Sequence, residues 1–280
     1  MRKHIRGEIM EADIWKFLSK YDRQIIFSIV LILSFIPAFR PLMLPLPQYE
    51  LTNKAFNYIE SLKPGDLVLV SFDFTPGVWV ELGTAMKAVM QHLFIKKLKI
   101  VIIAFDINGP TLAEKVINEI NLMGAEYGVD YVILGYIPGM ETGMASFVAN
   151  PRMIERDYYG NPTAEMEIMK KVKSISDFKL YIFACYTWID PWMRQFSGKV
   201  SKIIGILSSD AIPQVMPYIS SGQLYTAVRG MRGAAEYEQL LGMPGEATSY
   251  MDAVSLTLTF GVILIFFANS QYLRKKREGI

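Results

Sequence analysis

The sequence predicts an α/β protein, a doubly wound domain with a mainly parallel sheet, carried on two transmembrane helices. Two observations support this fold class. Long apolar stretches lie near both ends of the 280-residue chain. Between them, continuous apolar runs of strand length alternate with helical patterns, which is typical of a parallel sheet covered on both faces.

The first apolar stretch covers residues 25–44, close to the roughly twenty residues that a helix needs to cross the hydrocarbon core. Arg40 lies near its end, where a long side chain extends to the interface. A cleaved signal peptide is the alternative. However, acidic and basic residues are mixed in the preceding segment 1–24, and Pro45 and Pro47 follow the stretch in place of small residues. We therefore predict a transmembrane helix.

The second predicted span covers residues 251–273 and has no charge between Asp252 and Arg274. A buried core helix is the alternative, but the basic tail 274–280 that follows favours a span. Short flanks rich in Lys and Arg stay in the cytoplasm, whereas a long intervening domain crosses largely regardless of its charge. We predict a two-pass protein of the cell membrane with both termini cytoplasmic and an extracytoplasmic domain over 45–250.

Within the central domain, apolar spacing and turn residues predict the elements in order. Strands are predicted over 66–72, 99–106, 130–137, 179–186 and 202–209, and helices over 78–94, 109–128 and 162–175. The connection 138–161 is longer than an ordinary strand-to-helix loop, and such loops are usually functional or disordered. Its aromatic residues, among them Phe147 and Tyr158, predict ordered packing, with a short helix over 141–148.

Composition argues against several functional classes. The net charge is only +2, and the central domain has no concentrated basic patch, which argues against nucleic-acid binding. Cys185 is the single cysteine, so an intramolecular disulfide is excluded. No glycine-rich dinucleotide loop, Walker lysine or cluster of metal-binding side chains is evident, and we predict neither a cofactor nor a metal site.

The first predicted strand runs into the motif SFDFT, residues 71–75. This motif resembles the Asp-x-Asp-x-Thr motif of haloacid-dehalogenase-like phosphotransferases, in which the first Asp is the nucleophile. Ser71 stands at that position and cannot form an aspartyl-phosphate. We therefore favour the alternative, in which Asp73 and Thr75 close the turn between strand and helix.

A second resemblance covers residues 202–228, KIIGILSSDAIPQVMPYISSGQLYTAV, about a tenth of the chain. This segment resembles the C-terminal part of type I periplasmic sugar-binding proteins, in which a strand ending in Asp is followed by a helix, a Ser-Gly-Gln turn and an edge strand. The resemblance implies a solute-binding α/β lobe with Asp210 and Gln223 as contacts to the ligand.

Open α/β sheets bind ligands outside the carboxyl ends of their strands. The polar residues predicted to line such a strand-end pocket are Asp73, Thr75, Asp106, Asn108, Tyr136, Asp190, Ser209 and Asp210. A separate segment with small residues would allow another backbone to approach closely. It predicts a contact between protomers through Arg229, Gly230, Arg232 and Gly233, or alternatively a helix lying at the lipid interface.

These features give two functional hypotheses. The first is an oligomeric scaffold or ligand-binding module outside the cytoplasm, with membrane lipid, further copies of the chain and a small molecule as its partners. The second is a membrane-anchored hydrolase that uses the strand-end pocket and the 138–161 loop. Close approach of Asp73, Asp106 and Asp210 would favour an enzyme or a cation site, and their separation into different turns would favour the scaffold.

Overall fold

The computed structural model describes residues 22–186 and 188–278 of the chain. These residues form two compact units. One contains the described residues up to Leu44 together with those from Ser249 onward, and the other is the sheet domain, Pro45–Thr248.

The sheet domain contains a six-stranded sheet in which every neighbouring pair is parallel, so the predicted α/β class is confirmed. The strand order is β3-β2-β1-β4-β5-β6, which is Rossmann-like. All seven residues of β1 are buried, as expected for a strand covered on both faces. The strands are β1 (Leu67–Asp73), β2 (Lys99–Ala104), β3 (Tyr131–Tyr136), β4 (Leu180–Cys185), β5 (Ile203–Leu207) and β6 (Thr226–Arg229).

Ten α-helices occur in the described part of the chain, and those of the sheet domain flank the sheet. In chain order they are α1 (Asp22–Phe39), α2 (Glu50–Ser61), α3 (Thr84–Ile95), α4 (Gly109–Glu119), α5 (Glu141–Ala149), α6 (Glu167–Lys171), α7 (Asp190–Phe196), α8 (Ile212–Ser220), α9 (Gly230–Leu241) and α10 (Glu246–Glu278).

The predicted helix 109–128 is too long, because α4 ends at Glu119. The cause is Gln91 on α3, whose amide binds the chain just beyond the helix. Its Oε1 accepts from the backbone N of Asn121 at 2.8 Å, and its Nε2 donates to the carbonyl of the same residue at 2.9 Å. Both peptide groups are therefore used outside the helical ladder, and the segment to Gly128 is a loop.

Two other predicted helices differ from the structure, the first in the type of its initial turns and the second by interruption. Residues 78–94 begin with a 3-10 turn and a π turn, and α3 starts only at Thr84. Residues 162–175 contain only a 3-10 turn and the five-residue α6. Ser174 and Asp177 form a capping box that starts a new turn and prevents the chain from continuing as one helix.

Helix α2 was not predicted, and its beginning depends on a distant side chain. The carboxylate of Glu236 on α9 accepts from Thr52 Oγ1 at 2.7 Å and from the backbone N of Tyr49 at 3.2 Å. Leu51, Ala55 and Ile59 are its buried apolar residues, and they recur every four positions. That spacing is a helical signal within the sequence.

In the other unit, α10 contains the one helix among the described residues that is long and apolar enough to cross a membrane, Glu246–Ser270. Helix α1 is apolar over Arg23–Phe39 but shorter, and residues 40–44, which were predicted as part of the first span, are not helical. The carboxylate of Asp252 is 2 % exposed and accepts three consecutive backbone N–H groups, from Leu42 at 2.7 Å and from Met43 and Leu44 at 3.0 Å.

Candidate functional site

A cavity of about 100 Å³ opens at the carboxyl ends of the two central strands, β1 and β4. From β1 the chain proceeds to β2 and β3 on one side, and from β4 to β5 and β6 on the other. This is the topological switch point, where doubly wound sheets bind their ligands. The described residues that line the cavity are Asp73, Phe105, Asp106, Met140, Cys185, Tyr186, Trp188 and Trp192.

Asp73 is the last residue of β1 and lies at the base of the cavity with 5 % of its surface exposed. Its Oδ1 accepts the backbone N–H of Phe105 at 2.5 Å, which ties the end of β1 to the end of β2. Its Oδ2 accepts Ser71 Oγ at 2.6 Å and the indole Nε1 of Trp192 at 2.8 Å. Three donors from three different elements therefore fix the carboxyl group.

The hydroxyl groups of Tyr181 and Ser71 form a chain of hydrogen bonds that ends at Asp73. Ser71 Oγ also lies 2.8 Å from the hydroxyl oxygen of Tyr181, which is fully buried on β4. Because the single proton of Ser71 is donated to Asp73, the Tyr181 hydroxyl donates to Ser71. The Ser71 hydroxyl therefore donates one hydrogen bond and accepts another, and it is itself buried from solvent.

The pKa of Asp73 is raised to about 6. Burial is the largest cause, because it penalises the charged form, and the neighbouring charge of Asp106 acts in the same direction. The hydrogen bonds from Ser71, Phe105 and Trp192 oppose this rise in part. A carboxyl group with such a pKa changes its charge close to neutral pH, which an ordinary aspartate does not do.

Asp106 supplies the second carboxylate of the cavity and follows β2. Its Oδ1 accepts from both the backbone N and the side-chain Nδ2 of Asn108, each at 2.8 Å. Within the described part of the chain, its Oδ2 accepts no hydrogen bond. The next turn is held tightly against the sheet, because a Cβ atom at Gly109 would lie 2.1 Å from the carbonyl oxygen of Phe72.

Aromatic side chains form much of the remaining wall. Trp192 on α7 is almost completely buried and stacks on Phe183 of β4, with ring centroids 5.9 Å apart and planes at 16°. Trp188 is 58 % exposed, and its φ of +29° turns the chain between β4 and α7. Tyr186 is partly exposed at the same edge. One rim of the cavity is therefore a set of rings that solvent can reach.

Of the eight predicted pocket residues, the structure brings Asp73 and Asp106 together in the cavity. Asn108 takes part through its hydrogen bonds to Asp106. Thr75 precedes the 3-10 turn after β1 without a capping hydrogen bond from its side chain, and it does not line the cavity. Tyr136 is exposed at the end of β3, at one edge of the sheet.

The remaining predicted residues belong to separate turns. Asp190 accepts a hydrogen bond from the hydroxyl of Tyr218 on α8. Ser209 and Asp210 are exposed after β5, and Asp210 accepts from Ser208. Asp210 and Gln223, the two contacts implied by the resemblance to sugar-binding proteins, do not line this cavity. Of Asp73, Asp106 and Asp210, whose close approach would favour an enzyme or a cation site, the first two line the cavity and Asp210 does not.

The residues that sequence reasoning missed are mostly aromatic. Tyr186, Trp188 and Trp192 all lie in CYTWIDPW, residues 185–192, directly after the fourth strand. Three large aromatic side chains just beyond a strand end were a usable signal. Phe105 could not be recognised from the sequence as a lining residue, because it continues the apolar run of β2.

The long connection 138–161 is ordered as predicted and contains α5. The buried carboxylate of Asp157 accepts from the hydroxyl of Tyr127 at 2.7 Å and from the backbone N of Asn161 at 2.7 Å. The backbone N of Tyr158 donates to the carbonyl of Ile133 at 2.9 Å, which extends the hydrogen bonding at the edge strand β3. Most of the loop therefore covers a sheet edge, and only Met140 lines the cavity.

The residues predicted to contact another protomer make contacts within the chain. The guanidinium of Arg229 lies 5.4 Å from the ring centroid of Tyr49. Arg232 Nε donates to Glu236 at 3.1 Å. A Cβ atom at Gly230 would meet Ser209 Oγ at 2.5 Å, and one at Gly233 would meet Val228. The small residues at these positions therefore allow packing inside the sheet domain.

In the part of the chain that the structure describes, no three His, Cys, Asp or Glu side chains are grouped so that they could hold a metal ion. No model of a protein family, no curated protein and no solved structure matches the chain.

Proposed function

We propose that this protein is a membrane-anchored ligand-binding module whose sheet domain binds a small molecule in the cavity between β1 and β4. The observation that carries the proposal is the cavity itself, at the switch point of a doubly wound sheet, with Asp73, Asp106 and a rim of aromatic rings. Convergent polar groups in a largely apolar pocket are the usual features of a ligand site.

The size of the cavity argues for a small ligand. The volume of the cavity is about 100 Å³. Typical pockets for drug-sized molecules are several times larger. Because Trp188 is largely exposed at the rim, a longer ligand would place one end in the cavity and leave the rest in solvent.

A dinucleotide does not fit this site. In Rossmann-like sheets that bind dinucleotides, a glycine-rich turn after β1 brings the pyrophosphate to a helix N-terminus. Here β1 leads into Thr75 and a proline-containing 3-10 turn. The negatively charged carboxylates of the cavity would also repel a phosphate group, and no Lys or Arg is found among its described lining residues.

The proposal includes the two-pass topology, with the sheet domain outside the cytoplasm. Helix α10 has the required length and apolar character, and the Lys- and Arg-rich segments outside both apolar stretches support cytoplasmic termini. Self-association through the segment from Arg229 to Gly233 remains part of the proposal as a scaffold role. Its partly exposed arginines, Arg229 and Arg232, support that role.

A second candidate is a hydrolase in which Asp73 acts as the acid or base. The specific observation in its favour is a carboxyl group with a pKa of about 6 at the base of a cavity, since catalytic carboxyl groups are tuned in this way. The burial and double hydrogen bonding of the Ser71 hydroxyl argue against a serine nucleophile. A water molecule would have to be the attacking group.

The binding proposal is tested by native mass spectrometry of the detergent-solubilised protein, followed by identification of the small molecules that it releases. We expect a bound molecule in the wild type and its loss in Trp188→Ala, which removes a ring from the rim. Tyr136→Ala is the matched control, because Tyr136 is an exposed aromatic residue at another strand end, outside the cavity. A molecule retained by Trp188→Ala, or none in the wild type, would contradict the proposal.

A further inference from the structure

We propose that the cavity between β1 and β4 selects a small organic cation, an ammonium or quaternary ammonium group, by combining an aromatic rim with two carboxylates. This inference rests on the proposed ligand-binding function and specifies the chemistry of its ligand.

The charge of the cavity is the first argument. Among the described residues that line it, Asp73 and Asp106 carry carboxyl groups and none is a Lys, Arg or His. At about pH 7.5, a carboxyl group with a pKa near 6 is mainly ionised, so Asp73 contributes negative charge together with Asp106. A cation would relieve the unfavourable burial of that charge, whereas an anion would add to it.

The aromatic rings are the second argument. Tyr186, Trp188, Trp192 and Phe105 all line the cavity. A cation over the face of an aromatic ring is attracted by the quadrupole of the ring, most strongly for tryptophan, and aromatic cages are a recurrent way to bind quaternary ammonium groups. The indole of Trp192 is held in place twice, by stacking on Phe183 and by its hydrogen bond to Asp73.

The two carboxylates have different hydrogen-bonding capacity. Asp73 already accepts three hydrogen bonds from the protein, so its main contribution to a ligand is charge. Among the described residues, Asp106 accepts hydrogen bonds through Oδ1, from Asn108, and none through Oδ2. Its Oδ2 is thus the acceptor that a protonated amine would use, and for a quaternary ammonium group, which has no N–H, it is a nearby counter-charge.

A neutral ligand is the competing possibility, because a sugar ring also stacks on tryptophan and donates to carboxylates. The cation is favoured by the lining itself. A sugar carries several hydroxyl groups that need donors as well as acceptors, and two side-chain donors at this site are already used within the protein. Trp192 donates to Asp73, and the amide of Asn108 donates to Asp106.

The test compares choline with 3,3-dimethylbutan-1-ol, its uncharged isostere in which carbon replaces nitrogen. Isothermal titration of the detergent-solubilised full chain, first depleted of any bound molecule, measures both at about pH 7.5, with tetramethylammonium and glucose as further probes. We expect both cations to bind, and the neutral isostere to bind at least about tenfold more weakly. Equal affinities for choline and its isostere, binding of glucose alone, or no binding of either cation at millimolar concentration would overturn the inference.

Variants test the carboxylate and the aromatic ring of the site separately. Asp106→Asn should weaken choline binding by about tenfold and leave the isostere unchanged. Asp210→Asn, which removes an exposed strand-end carboxylate outside the cavity, should bind both as the wild type does. Trp188→Phe should retain choline binding, and Trp188→Leu should lose it. Unchanged choline binding in Asp106→Asn would contradict the role of charge, and circular dichroism of each variant reports whether it is folded.

The inference can fail while the proposed function stands. If native mass spectrometry finds a neutral molecule that Trp188→Ala loses, and choline does not bind, then the cavity is a ligand site of another chemical class. If no molecule is found and no probe binds, both fail together.

Discussion

The carboxyl group of Asp73 connects the chemistry of the cavity to the stability of the sheet domain. It is buried, yet it receives hydrogen bonds from Ser71 on β1, from Phe105 directly after β2 and from Trp192 on α7. Burial raises its pKa to about 6 from the ordinary value of 3.8. The folded protein therefore holds the Asp73 proton more tightly than the unfolded chain does.

This difference has a defined sign. Between about pH 4 and pH 6 the folded state binds more protons at Asp73 than the unfolded state, so the free energy of unfolding decreases as pH rises through this range. The shift of about two pKa units corresponds to a loss on the order of 3 kcal/mol.

We expect Asp73→Asn to remove that pH dependence. Thermal unfolding of the wild type in detergent, followed by circular dichroism from pH 4 to pH 7, should show a fall of the midpoint with rising pH that is shallower in Asp73→Asn. Asp210→Asn is the control, and its pH profile from pH 4 to pH 7 should match that of the wild type. The hydrogen bond with Ser208 lowers the pKa of this exposed carboxyl group from its ordinary value of 3.8, so it does not change its charge in this range. Identical pH profiles for Asp73→Asn and the wild type would show that Asp73 does not carry this linkage.

At the scale of elements, α9 carries two buried carboxylates that serve two other helices. Glu236 accepts hydrogen bonds at the N-terminus of α2. Glu238 accepts from the backbone N of Gly245, Ala247 and Thr248, at 2.9, 3.2 and 2.8 Å, at the start of α10. A carboxylate at a helix N-terminus satisfies N–H groups that have no partner in the helix and interacts favourably with the helix dipole.

We expect Glu238→Gln to destabilise the sheet domain by roughly 1–3 kcal/mol, because a buried charge-assisted network loses its charge and presents an N–H group to other donors. Glu246→Gln is the matched control. It removes a partly exposed ion pair with Lys87 at the start of the same helix, and should cost less than about 1 kcal/mol.

Thermal unfolding in detergent measures both variants, and hydrogen exchange localises the effect. Faster exchange over residues 245–248 in Glu238→Gln, and not in Glu246→Gln, would support the cap. Equal effects of the two substitutions would refute it.

The sequence predicts an element well when its bounds depend on local residues, and poorly when they depend on hydrogen bonds from other elements. The five predicted strands were found within one or two residues, because runs such as Leu67–Val70 are buried on both faces and need no distant partner to be recognised. Helix α4 was made too long because its end is set by Gln91, a side chain on another helix. Helix α2 was not predicted, because its beginning depends on Glu236, a side chain on α9.

The cavity was predictable in part, because the positions of its two carboxylates follow from the strands. Asp73 and Asp106 follow adjacent strands, and strand ends of a parallel sheet meet at one edge. The separation of Asp190 and Asp210 was not predictable, since it depends on which hydroxyl groups, from Tyr218 and Ser208, lie beside them. Whether Trp192 lines the cavity depends on the direction of α7 relative to β4.

At the scale of the whole molecule, a Rossmann-like sheet domain is inserted between two apolar segments of one chain. The sheet domain is Pro45–Thr248, and both apolar segments belong to the other compact unit. Asp252 lies in α10 and binds the backbone that follows α1, so the ends of the two apolar segments are joined by three hydrogen bonds.

The topology is tested with single cysteines and a membrane-impermeant maleimide applied to intact cells. Ser221→Cys lies on an exposed turn of the sheet domain, and Met10→Cys and Gly279→Cys lie in the terminal segments. Cys185 is buried, so the parent protein gives the background. For two spans with a domain outside the cytoplasm, we expect labelling at position 221 alone, and labelling at 10 and 279 only after permeabilisation. Labelling of 10 and 221 together, with 279 protected, would instead mean that α10 alone crosses the membrane. Protection of 221 in intact cells would contradict an extracytoplasmic domain and would restrict the ligand of the cavity to molecules of the cytoplasm.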